Sequence, residues 1–225
     1  MKIAYPFGFW SALGMAITNL WFYAAFIPYA PAWNAPWPGI AAYATSFQVR
    51  PFLQWVIPAF LLPPIVLFMM VSAHRWVREA RKVWSLMAVL FAVMYTAVLV
   101  PFYYIQITVV PYHLAQGTTE GLPLWLFSFY YPHNIFGAME GVGYGLLGCS
   151  LLCAANAFRD GRLQRWVRLT FVGLGVSVLA LFINPIYPLP TALGVGSGFA
   201  GLLLGVVAPV LLAILFRGSE PEQDR

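Results

Sequence analysis

Apolar positions along this chain neither alternate nor form narrow stripes. They gather into six long runs, at about 7–28, 52–73, 83–109, 134–158, 166–184 and 193–216, separated by short polar stretches. At 1.5 Å of rise per helical residue, about 20 residues cross a hydrocarbon core of ~30 Å. The pattern predicts an all-α fold, a polytopic bundle of about six transmembrane helices forming a single membrane domain over 1–225, with 217–225 as a short polar tail. Two further apolar stretches do not read as spans. The segment 29–51, after the first run, is dense in Pro, Trp and Tyr, and Trp125–Tyr131, before the fourth, is short and aromatic. Both are expected along the outer interface, where aromatic side chains collect.

Composition strengthens this reading. Of 225 residues, 61% are hydrophobic and 8% charged, against roughly a quarter charged in soluble domains. The +5 formal charge at first suggests nucleic acid, but the basic residues sit between spans rather than on a polar face, so a nucleic-acid partner is not expected. Residues 74–82 hold four Arg/Lys and one Glu, and 159–168 hold four Arg and one Asp, each net +3. The connections after the first, third and fifth runs contain only one basic residue, Arg50. By the positive-inside rule both basic loops are cytoplasmic, which with six spans puts both termini there too. An inner (plasma) membrane is the expected location. Lys2 is followed by Tyr5-Pro6 without a secretory cleavage pattern, so the first run is expected to be a retained span.

Candidate chemistry is sparse. Cys149 and Cys153 lie four apart on one span, a poor arrangement for a disulfide, and read as small packing residues. The three histidines, His74, His113 and His133, divide between the two sides of the predicted membrane. His113, His133 and Glu140 have no tight ligand spacing, and no metal or other cofactor is expected. No phosphate loop, dinucleotide fingerprint or nucleophile elbow occurs.

Glu140 stands apart, being the one acidic residue within a span. A charge at the bilayer centre costs at least ~2.5 kcal/mol on insertion scales, so an intramembrane carboxyl is a functional candidate by default. His133, seven residues before it, and Tyr144, four after, fall within about 40° of its helix face. Arg50, Gln54, Tyr103, Gln106 and Asn134 are predicted at a similar depth. With Glu140, Tyr144 and His133 they make a candidate outer-leaflet ligand site.

Three functions follow from this set. The leading one is a carrier, sensor or accessory subunit that binds a hydrophobic or amphipathic ligand, lipid-like or isoprenoid-like. The second is an intramembrane enzyme of isomerase or cyclase type acting on a lipid or isoprenoid, with Glu140 as general acid or base and His133 or a tyrosine as its catalytic partner. The third is a structural subunit, with Glu140 gluing helices together. Membrane lipids are expected partners. Gly137, Gly141 and Gly145, spaced at four, and the glycines of the last run offer surfaces for a homodimer or a larger membrane complex.

Overall fold

The computed structural model describes residues 4–29, 38–116, 134–183, 187 and 190–218. They form seven α-helices and, among the described residues, no strand. These are α1 (Ala4–Phe26), α2 (Ile40–Ser46), α3 (Val49–Trp76), α4 (Lys82–Ala115), α5 (Ile135–Ala157), α6 (Gly161–Ile183) and α7 (Thr191–Gly218). Five of them, α3 to α7, are long and apolar enough to cross a membrane, so the chain has the make-up of a multi-pass membrane protein. Helix α1 is equally long at 23 residues and carries no charge, but Asn19, Thr18, Ser11 and its Trp and Tyr residues make it less hydropathic. Of the predicted interfacial segment 29–51, residues 30–37 lie outside the described residues, Ile40–Ser46 form α2, and 49–51 already belong to α3. Trp125–Tyr131 lies outside the described residues.

Each long helix packs on its chain neighbours, and α7 returns to α1, so α1, α3, α4, α5, α6 and α7 close a ring. The contacts show antiparallel neighbours all round. Along α1 and α3, Phe7 meets Phe68 at one end and Phe26 meets Trp55 at the other. Along α4 and α5, Phe102 meets Phe136 while the Ser150 hydroxyl donates to the Ala88 carbonyl at 2.7 Å. Along α1 and α7, Gly8 abuts Phe216 whereas Asn19 reaches Gly205.

Helix α4 shows how one sequence serves ring and lipid together. Ser85, Ala88, Ala92, Tyr95, Leu99, Phe102 and Gln106 are buried at alternating steps of three and four, while Leu86, Leu90, Val93, Met94 and Tyr104 between them are exposed. A 3.5-residue repeat is the seam of packed helices. The exposed set is apolar, which suits lipid and would be costly in water.

Helix ends differ modestly from the apolar runs. Helix α4 continues through Pro111 to Ala115, and α6 begins at Gly161, so Arg162, Arg165 and Arg168 are helical rather than part of a loop. Gly161 has φ +80, a left-handed conformation that glycine adopts without strain, and this lets the chain turn sharply from α5 into α6.

Charge is segregated in three dimensions as well as along the chain. Ser72 lies beside Gly8, Trp76 stacks on Phe158, and Arg81 bonds Asp160 at 2.8 Å. The start of α1, both basic connections and the end of α7 therefore share one end of the ring. Every described Lys and Arg except Arg50 is there. Asp160 also lies 3.8 Å from Arg78. Replacing Asp160 with Ala is expected to cost under about 1 kcal/mol, because the carboxylate is 41% exposed and water screens it. Thermal unfolding in detergent at low and high salt checks this, and the effect should shrink as salt rises.

Candidate functional site

Glu140 sits in the second turn of α5, toward the end of the ring opposite the basic connections. The helix starts there because Asn134 caps it, its Oδ1 accepting from the Gly137 backbone N–H at 2.6 Å. Asn134 is buried, and its side chain serves as this cap. It also fixes the register in which Glu140, Gly143 and Ser150 face α4.

That register brings Tyr103 opposite Glu140. The Tyr103 hydroxyl donates to Glu140 Oε1 at 2.8 Å, and the Tyr144 hydroxyl, one turn along α5, donates to the same oxygen at 3.2 Å. Among the described residues no hydrogen bond to Oε2 is recorded, and no Lys, Arg or His forms an ion pair with this carboxyl. Tyr95, two turns from Tyr103 on α4, lies within electrostatic range of Glu140 and of Tyr23 on α1, and Tyr144 likewise interacts with both Tyr95 and Tyr23. Since α1 stands across the ring from α5, these side chains converge on its interior. Tyr95 and Tyr103 are buried, while Tyr23, Glu140 and Tyr144 keep partial accessibility, so the packing around the carboxyl is incomplete.

Other candidates fall less centrally. Gln106 is fully buried one turn from Tyr103. Arg50 and Gln54 are exposed in the first two turns of α3, a helix that packs chiefly on α1 and α4. His133 lies outside the described residues. Tyr23 was not among the predicted site residues; its signal is a pairing with Asn19, four residues apart on the least hydropathic of the long runs.

Helix α5 presents different glycines to its two neighbours. A Cβ on Gly143 would lie 2.7 Å from Leu99 of α4, and one on Gly148 would lie 2.6 Å from Leu179 and 3.0 Å from the Gly175 carbonyl of α6. Of the evenly spaced set, Gly145 meets Phe182 of α6, Gly137 meets its own cap Asn134, and Gly141 has nothing within 4 Å.

Chemically, the site is a carboxyl held by two phenols among further aromatic rings, with alkyl and phenyl groups above and below. No cluster of three or more metal-ligating side chains exists among the described residues. No protein-family model matches this chain, and no curated protein or solved structure shows significant similarity to it.

Proposed function

We propose that this chain is a six-span protein of the inner membrane, with both termini and the basic end in the cytoplasm, that binds a hydrophobic or amphipathic ligand from the outer leaflet at Glu140. The observation that carries this reading is the anchoring of Glu140 by Tyr103 and Tyr144 inside the ring. A carboxyl in a membrane is costly, and the other hydrogen bonds that link long helices to one another run to backbone carbonyls or lie at the basic end. An apolar enclosure with a few convergent polar groups is the usual form of a small-molecule site. Extracting the lipids that co-purify with the protein and identifying them by mass spectrometry tests it. A species enriched over bulk lipid should be lost in the Glu140→Gln variant while thermal unfolding shows the variant folded; equal enrichment in both contradicts the reading.

A second reading is an intramembrane acid–base enzyme acting on a lipid or isoprenoid, favoured by the 2.8 Å bond from Tyr103 to Glu140, which is short enough to pass a proton. It expects product formation that Tyr103→Phe slows by about a hundredfold or more, the scale of acid–base catalysis.

The orientation rests on the charge asymmetry, and the sixth span on the place of α1, uncharged and antiparallel between α3 and α7. With Cys149 and Cys153 replaced by Ala, single cysteines at Glu79 and Arg159 should react with a membrane-impermeant maleimide only from the cytoplasmic side, and one at Tyr112 only from outside. Gly141, half-buried with nothing within 4 Å of a Cβ placed on it, is the position through which the proposed homodimer is tested. Gly141→Ile should lower the dimer fraction measured by light scattering in detergent, and an unchanged mass counts against that interface.

A further inference from the structure

The bonding around Glu140 specifies what kind of head group the site would take. Both phenolic hydrogens are spent on Oε1, so neither Tyr103 nor Tyr144 has a donor left for a ligand. Oε2 is an acceptor with no recorded partner among the described residues. The described Lys and Arg are at the opposite end of the ring, except for Arg50, exposed on α3. Among the described residues the carboxylate thus has no cation of its own, and three tyrosines, Tyr95, Tyr103 and Tyr144, lie near it. An electron-rich ring of this kind attracts a positive charge through its aromatic faces, and more strongly when water is excluded. An anionic head group would be repelled by the Glu140 carboxylate.

We propose that the occupant of this site is a lipophilic amine, bound as its ammonium ion with an N–H donated to Oε2 of Glu140 and its charge enclosed by the tyrosines. The inference rests on the reading that Glu140 marks a ligand site, and adds the class of ligand.

The test uses the full chain in lipid nanodiscs and two photoreactive probes sharing one diazirine-bearing alkyl tail, an N-alkylpiperidine, cationic at neutral pH, and the uncharged alkylcyclohexane of the same shape. Cross-linked residues are mapped by mass spectrometry. The cationic probe is expected to label α4 and α5 around Glu140 about tenfold more than the neutral one, the scale of a charge-assisted bond joined to cation–π contact. Glu140→Gln should erase that preference and Glu140→Asp should keep part of it. Equal labelling at this site by both probes overturns the amine inference and leaves the ligand site standing. Failure of both probes to label the ring interior overturns both. Should Glu140→Gln fail to fold, the comparison of the two probes on the unmodified chain still decides.

Discussion

Replacing Gly148 with leucine is expected to prevent the ring from closing, and even Gly148→Ala is expected to lower stability by about 2 kcal/mol, the scale of overpacking in a well-packed core. Between membrane helices the hydrophobic effect offers little, since lipid tails are as apolar as leucine, so association depends on close van der Waals contact and interhelical bonds. At Gly148 that contact involves backbone. A Cβ would approach Leu179 Cγ to 2.6 Å and the Gly175 carbonyl to 3.0 Å, and a Cβ on Gly175 would in turn come within 3.2 Å of the Gly148 carbonyl. Neither helix can yield by turning a side-chain tip. Helices α5 and α6 would have to move apart, taking Gly145 and Phe182 with them. Gly141→Ala is the matched control on the same helix, with open space at its Cβ and an expected effect within about 0.5 kcal/mol. Thermal unfolding in detergent, with the monodisperse fraction on size exclusion, distinguishes the pair; a Gly148→Leu protein as stable as the unmodified chain would show that the two backbones do not meet here.

The glycines also mark a limit on what the sequence discloses. Helix α5 has five of them, and even spacing at four selects Gly137, Gly141 and Gly145 as the packing face. Four residues, however, turn a helix by about 400°, so such a row drifts by about 40° at each step and faces no single neighbour for long. The structure instead divides the work, giving Gly143 to α4 and Gly145 and Gly148 to α6. Spacing identifies small residues; which neighbour each admits depends on the ring. The same holds for the site. Glu140 and Tyr144, four apart, are legible as one face of a helix, and Tyr103 follows from matching depths on α4. Tyr23 does not, because its nearness to Tyr95 and Tyr144 exists only once α7 closes on α1.

Helix ends were hidden for a different reason. Hydropathy detects where a helix leaves the membrane and is blind to where it stops being a helix. Arg162 and Arg165 therefore read as a loop, although α6 begins at Gly161. A proline likewise suggests an end, yet it removes only one backbone bond and clashes with the turn before it. Neighbouring helices can satisfy what it frees, and α3 runs unbroken through Pro58, Pro63 and Pro64.

How a freed carbonyl is satisfied gives the second large effect, expected at Asn19. Pro209 lies inside α7 and has no N–H to offer the carbonyl four residues back, that of Gly205. The Asn19 side chain of α1 donates to that carbonyl at 3.0 Å. Gly205 permits the approach, as a Cβ there would stand 3.7 Å from the Asn19 amide. Asn19→Ala is therefore expected to cost about 1 to 2 kcal/mol, the upper part of the range for interhelical bonds in membranes, because it leaves a carbonyl unpaired where water cannot replace the donor. Pro209→Ala restores a backbone N–H within the helix, and in that background Asn19→Ala should lose most of its effect. The four proteins form a double-mutant cycle, read by thermal or denaturant unfolding in one detergent, with an expected coupling of about 1 kcal/mol. If Asn19→Ala costs the same with and without Pro209, then Asn19 stabilises the closure of α1 on α7 by packing alone, and the carbonyl left by the proline has another partner.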